Sequence, residues 1–312
     1  MFPAPSNIKI CIICALKLEA DAVTSLLDTT YPMNPYHDKE SQRRQRSSLP
    51  SRRNNTLQLA ILVGICGAIP KHHNGRHIML GDIIISKSVT EYSLGTLLPG
   101  YKNNLSANHN PSTLNFKTLA SDLEKSYHSL ETQTSAYLHK TQHSTIHPSA
   151  QQILPFHPNY PHKHRHRQTC KSNACFENRV CQDAIASSCD ELNCAPQYLL
   201  PRYPVHSIRP SIHFGSVASG DIVMKSGVLR DVFAEKEGVV AFEMEAAGVW
   251  AYLPCLVVKG VCDYADSHKE KSWQGFAALS AAACAKAVLG VWKPEHEHDG
   301  CDEDSYTPDV KP

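Results

Sequence analysis

The chain has 312 residues, with 31 basic and 30 acidic side chains and a net charge of +1. Nothing in that balance asks for nucleic acid or an anionic membrane surface, so the expected partner is a small molecule, with no nucleic acid and no membrane. The length suits one large α/β domain carrying an insertion, predicted over 8–290.

Residues 8–16 are apolar enough for a first buried strand but too short to span a bilayer, and they lack a basic leader. No later segment reaches about 18 uninterrupted apolar residues. Among the 12 cysteines, Cys11, Cys14, Cys66, Cys255, Cys262 and Cys284 fall in apolar elements, where a free thiol behaves as a small hydrophobe. This usage predicts a reduced, cytoplasmic protein rather than a disulfide framework. The spacing of residues 18–27 predicts a helix that Glu19 opens, where the helix dipole favours an acid.

Residues 31–56 lack apolar periodicity and are rich in Arg, Ser and Asn, predicting a solvated basic linker. Residues 57–63 predict a buried strand. The small residues of 64–70 predict a tight turn whose backbone N–H groups at Gly64, Cys66 and Gly67 can approach a ligand. A further strand is predicted over 80–86, with a partner segment at 89–95.

An insertion is predicted over 103–205, with a helix near 114–137 and a His/Cys-rich part at 160–195. The run His162-Lys-His-Arg-His166, followed by Cys170, Cys175, Cys181, Cys189 and Cys194, is dense in metal-ligand types, although the spacings of these five cysteines are not those of a CxxC pair. Two readings stay open: a zinc site drawing on His164, His166, Cys170 and Cys175, or a helical insertion whose cysteines are reduced or disulfide-bonded. No cofactor is assigned.

Residues 211–221 predict a strand ending in a Ser-Gly-Asp turn. In 239–250, apolar residues surround Glu243 and Glu245 so completely that both carboxylates are expected in or beside a buried layer. Residues 256–258 predict a short buried strand, with Asp263 just past its carboxyl end, where open α/β sheets place their ligands. Ion pairing of the two glutamates with Lys or Arg across an interface, and helix capping by Asp263, are the competing readings. An Ala-rich helix over 276–289 and a disordered acidic tail over 291–312 complete the chain.

The segments Glu243-Met244-Glu245 and Val257-Val-Lys-Gly-Val-Cys-Asp-Tyr-Ala-Asp266 resemble the nucleoside phosphorylase and nucleosidase superfamily. The types in view are purine/uridine phosphorylase and methylthioadenosine/adenosylhomocysteine nucleosidase, most nearly in their fungal branch. The resemblance covers 8–30, 58–102 and 211–290, and 160–200 more loosely. It implies a mixed, mainly parallel sheet flanked by helices in a single domain, and a homo-oligomer.

It also implies that Glu245 holds the ribose hydroxyls with Glu243 beside it, and that Met244 packs on the sugar. Asp263 would protonate the purine and Glu19 would activate water. Val223 and Met224 would lie against the base and Trp273 would stack on it, while Gly64, Cys66 and Gly67 would border the ribose or phosphate. The strands and Gly-rich helix that relatives carry have no counterpart in 31–56, and Ser93 and Thr96 stand where many fungal relatives have Asp and Arg.

Cleaving an N-glycosidic bond leaves an oxocarbenium-like sugar and an anionic base, so a proton at the base and negative charge at the sugar are the groups required. The first loop, Ala15-Leu-Lys-Leu-Glu19, lacks the Arg cluster of a phosphorylase. The resulting expectation is hydrolysis of a purine nucleoside or nucleotide. Phosphorolysis and a catalytically inactive nucleotide-sensing or scaffold module are the alternatives.

Overall fold

A computed structural model of the chain describes residues 10–28, 57–94, 105–110, 114–141, 154–177, 180–201, 209–250, 253, 255–268 and 271–292. The basic linker 31–56, Thr96 and the acidic tail beyond 292 lie outside the described residues.

Seven strands form one mixed sheet: β1 (Ile10–Ile13), β2 (Leu59–Ala68), β3 (Ile83–Leu94), β4 (Leu105–Asn110), β5 (Ile212–Ser219), β6 (Val239–Glu243) and β7 (Cys255–Asp263). The helices are α1 (Lys17–Ser25), α2 (Leu114–Lys125), α3 (Tyr127–Thr141), α4 (Gln182–Ala186), α5 (Gly227–Glu237), α6 (Ala246–Trp250) and α7 (Gln274–Val291). Four strand pairs are parallel: β1 with β2, β2 with β7, β3 with β5, and β5 with β6. Three are antiparallel: β2 with β6, β3 with β4, and β3 with β7. Followed round, β2, β6, β5, β3 and β7 close a ring. The sheet therefore curls on itself, and the carboxyl ends of β6 and β7 both adjoin β2.

Covering this ring on both sides requires strands apolar on both faces. β7 has nine buried residues in succession, and β2 is buried apart from the half-buried Ile65. Helices α1, α3 and α7 pack on one side, in a cluster with Val63, Ile83, Leu130, Val258 and Ala282. Helix α7 is long and apolar enough by length and composition to cross a membrane. It is interrupted by Ser280 and Lys286, however, and mostly buried as a core helix. Its approach is so close that a Cβ on Gly260 of β7 would stand 2.5 Å from the carbonyl carbon of Ala277.

Several elements depart from the sequence expectation. The predicted turn at 64–70 is strand: β2 continues to Ala68 in register with β7, with one irregularity between Cys66 and Gly67. The predicted strand 80–86 and its partner segment are one twelve-residue strand, β3. The helix expected over 114–137 is two helices. Within the predicted insertion, β4 joins the main sheet, and Leu123, Leu130 and Leu138 of α2 and α3 join the main core. Among the described residues of the insertion, those of 154–177 and 180–201 form a satellite, around Cys170, Cys175, Cys181, Ala184 and Leu192. It is built from turns and the five-residue α4 rather than from helices of ordinary length. The cause is composition: apolar residues at helical spacing carry α2 and α3 into the core, whereas 154–201 offers too few to form one.

Candidate functional site

The carboxyl ends of β6 and β7 carry the acids singled out in the sequence. Glu243, the last residue of β6, has a fully buried side chain and accepts hydrogen bonds from the N–H groups of Glu245 (3.2 Å) and Ala246 (3.1 Å) at the start of α6. Ser219, at the end of β5, accepts the next N–H, from Ala247, at 2.8 Å. In this way the short α6 is held by side chains from two adjacent strands.

Lys259 of β7 lies beneath them with no exposed side-chain surface. Its Nζ stands 2.8 Å from Glu245 Oε2 and 3.3 Å from Glu243 Oε2. Burial alone would lower the lysine's pKa, but Glu243 and Glu245 outweigh it and hold the ammonium well above its ordinary range. Burial raises Glu243 despite Lys259. Burial acts upward on Glu245 too, but the charge and hydrogen bond of Lys259 prevail and its carboxyl lies below the ordinary value. The pair divides by distance and exposure: Glu245 is nearer the ammonium and 32% exposed, so it keeps its charge at lower cost. Its neighbour Met244 is 45% exposed.

Glu19 approaches the same lysine from α1. Its Oε2 accepts the N–H groups of Ala15 and Leu16, and its Oε1 accepts that of Ile65, each at 2.9 Å. A carboxylate has about four lone-pair sites, so three of Glu19's are filled by backbone donors. A Cβ on Gly64 would stand 2.7 Å from Glu19 Cδ and 3.0 Å from Lys259 Nζ, so the glycine gives up its side-chain volume to this acid–lysine cluster.

Asp263 closes β7 and is 8% exposed. Its Oδ1 accepts the N–H of Ala265 at 2.8 Å, and the thiol of Cys262 donates to its Oδ2 at 3.5 Å. Gly67 pairs with it across β2. A Cβ there would stand 2.6 Å from Asp263 Oδ1 and 2.9 Å from Ala265 Cβ. The chain then turns sharply through Ala265, whose φ of 50° puts an alanine in the left-handed region at a cost on the order of 1 kcal/mol.

Arg230 of α5, almost wholly buried, clamps that turn: its Nη1 donates to the Tyr264 carbonyl at 2.7 Å and lies 3.8 Å from Asp266. Burial raises the Asp266 carboxyl, with the charge of Asp263 acting in the same direction.

The structure thus gathers Glu19, Gly64, Glu243 and Glu245 around Lys259, and sets Gly67 against Asp263. Gly64 and Gly67 act through the room they leave in a strand rather than as a turn. Cys66 is buried between them, its carbonyl accepting from the Cys262 thiol at 3.4 Å.

Other expected residues are placed differently. Val223 is 44% exposed, whereas Met224 is buried with Tyr92, Phe233 and Phe242. Trp273 is 1% exposed and packs with Cys262, Ala277 and Phe276, because the chain enters α7 directly at this residue. It is a core side chain beneath the site strand, not a stacking surface. His164, Cys170 and Cys175 come together with Cys181, and His166 stands outside that group.

Sequence reasoning missed Lys259, Arg230 and Ser219. The lysine left a signal, as a charge in the middle of a strand that is otherwise uncharged up to its final Asp263. Arg230, in an amphipathic helix, left none.

No family model matches the chain. A stretch of 99 residues is 43% identical to a nucleotide-binding leucine-rich repeat (NLR)-like protein of Hyaloscypha variabilis. That stretch is 32% of this chain and 10% of that protein, so the chain spans a small part of the curated relative's length. Among solved structures, it is similar to the 5'-methylthioadenosine/S-adenosyl homocysteine nucleosidase of Helicobacter pylori, at TM-score 0.47 and 13% identity, covering 91% of this chain and 98% of that one. The futalosine hydrolase of the same organism gives TM-score 0.47 and 12% identity over 92% and 99%. The Neisseria meningitidis 5'-methylthioadenosine/S-adenosylhomocysteine nucleosidase, in complex with methylthio-immucillin-A, gives 0.45 and 12% over 90% and 98%.

Proposed function

We propose that this site binds a purine nucleoside or nucleotide and cleaves its N-glycosidic bond by hydrolysis, with Asp263 as the acid at the base and Glu245 as the acceptor for the ribose hydroxyls. The observation that carries the reading is the shared scaffold of the two acids. Asp263 ends β7, and Lys259, four residues earlier on that strand, fixes Glu245 at 2.8 Å. A partly exposed carboxylate charged by a buried lysine suits hydroxyl donors and a cationic sugar, and a nearly buried carboxyl at the strand end suits a proton transfer in a water-poor setting. Met244, exposed beside Glu245, suits packing on the sugar face. We assign the reaction to a reduced cytoplasmic setting and to a homo-oligomer.

A second reading, a module that binds the nucleoside without cleaving it, is favoured by one observation: Glu19 already accepts three backbone N–H groups, which limits its capacity to activate water.

Chromatography of the base released from a panel of purine nucleosides and nucleotides, with and without phosphate, separates the readings. Base release that needs no phosphate and falls at least about a hundredfold in Asp263→Asn supports hydrolysis by the assigned acid. Release that requires phosphate assigns phosphorolysis. Saturable nucleoside binding with no release assigns the binding module, and full activity in Asp263→Asn overturns the role given to that residue.

A further inference from the structure

The satellite 154–201 brings five of the chain's cysteines together with His162 and His164. We propose that it holds two tetrahedral zinc ions, one on His164, Cys170, Cys175 and Cys181, the other on His162, Cys189 and Cys194, with His268 from outside the satellite as its fourth ligand.

The first argument is geometric. Zinc bonds of about 2.3 Å to sulfur and about 2.0–2.1 Å to nitrogen make tetrahedral edges of about 3.5–3.8 Å. In the first group His164 Nδ1 lies 3.4 Å from Cys181 Sγ and 3.7 Å from Cys175 Sγ, and the two sulfurs are 3.6 Å apart. In the second, His162 Nδ1 lies 3.4 Å from Cys194 Sγ and 3.7 Å from Cys189 Sγ. Sulfurs 3.6 Å apart are far beyond the disulfide length of about 2.05 Å. One disulfide in a group of three cysteines would also strand the third beside the half-buried His164 imidazole.

The second argument lies in the surroundings. Ring nitrogens that bind metal are usually oriented by a hydrogen bond from the other nitrogen to a carbonyl. His162 Nε2 lies 2.8 Å from the Ser187 carbonyl, which leaves Nδ1 facing Cys189 and Cys194. The first group has matching support: the N–H of Ala184 donates to Cys181 Sγ at 3.4 Å, and Lys163 Nζ holds the Cys175 carbonyl at 3.0 Å. Single-residue alternation in His162-Lys163-His164 sends one imidazole to each ion.

His268 completes the second set. Its ring centroid is 5.1 Å from that of His162, its side chain is 5% exposed, and its Nε2 is buried without a hydrogen-bond partner. A buried ring nitrogen without a hydrogen-bond partner, beside the His162 imidazole, is a ligand in want of an ion. The small cluster of 154–201 could not by itself hold so many turns in place, which is the circumstance in which small modules recruit metal.

His268 lies five residues beyond Asp263, and the module also docks there through the N–H of His162 on Ser267 Oγ (2.9 Å) and Phe156 stacked on His268 (4.1 Å). The second ion would therefore tie the module to the turn that follows the candidate acid.

The test is a metal count on the full chain, purified under reducing conditions without chelator. We expect two zinc ions per chain, one in Cys175→Ala, one in His268→Ala, and two in His166→Ala. Fewer than two ions in the unaltered protein, or two retained in both Cys175→Ala and His268→Ala, overturns the proposal. Should those variants not fold, the unaltered protein still decides: cobalt substitution must give the thiolate-to-metal and ligand-field bands of tetrahedral sites, and octahedral bands overturn it. An intact mass lower by two hydrogens for each cysteine pair, with no metal, identifies disulfides instead and likewise overturns it.

Discussion

Lys259 Nζ and Glu245 Oε2 lie 2.8 Å apart, and the lysine that anchors this glutamate has no exposed side-chain surface. The pair converts a structural ion pair into a positioning device, because the buried partner decides where the partly exposed one can point.

Replacing Lys259 with Met leaves Glu243 buried without its counter-charge. We expect a loss of about 3–5 kcal/mol in denaturant unfolding, with part of it restored by adding Glu243→Gln. An equal loss in the single and double variants would show that the lysine acts through packing and not through charge.

The acid limb of stability has a definite sign. The Glu245 carboxyl is held low in the folded chain, so its contribution is present above the ordinary value of 4.5 and is lost as pH falls through its lower folded value. Glu243, raised by burial, contributes below 4.5 and loses that contribution as pH rises through its folded value. The stability gap between the unaltered protein and Glu245→Gln should therefore narrow as pH falls below 4.5, and the gap to Glu243→Gln should not.

Three glycines order themselves by what a methyl group would meet. Gly260→Ala drives a Cβ onto the backbone of Ala277, which cannot yield, and should cost well over the ~1–3 kcal/mol usual for overpacking. Gly64→Ala meets the Glu19 carboxylate, a side chain rather than backbone, and should cost about 1–3 kcal/mol. Gly248→Ala, in helix α6 with open space around it, should be neutral or stabilising by up to about 1 kcal/mol. Melting temperatures of the three variants check the order.

Cys255 and Cys284 are buried thiols pushed up to about 12, chiefly by desolvation. Since the thiolate is the reactive form, neither should be alkylated at neutral pH in the folded chain. Peptide mapping after timed iodoacetamide treatment tests this, and rapid labelling of either residue would contradict its burial.

The buried strands were legible because their apolar runs have few alternatives. The 256–258 run lies inside β7, and Asp263 falls at the end of that strand. Pairing of the glutamates with Lys or Arg was one of two readings, but it was set across an interface, whereas the partner, Lys259, lies on a strand of the same sheet. Its partners lie 14 and 16 residues away, at the end of a different strand, and only the parallel and antiparallel neighbours of β2 bring β6 and β7 together.

Local spacing misread the stretch after Val63. Small residues such as Gly64 and Gly67 suit a turn equally well, and only the side chains of Glu19 and Asp263 arriving from elsewhere make them strand positions. Trp273 was misjudged for the related reason that sequence distance from an acid says nothing of which way a ring faces, and here it turns inward onto Ala277.

Composition and periodicity by themselves determined an α/β domain, the buried setting of Glu243 and Glu245 and a His/Cys-dense segment, since these follow from near neighbours along the chain. Which acids share a lysine, which imidazole meets which thiols, and whether a glycine bends or yields space were decided by tertiary structure. Those outcomes depend on contacts between segments dozens to hundreds of residues apart.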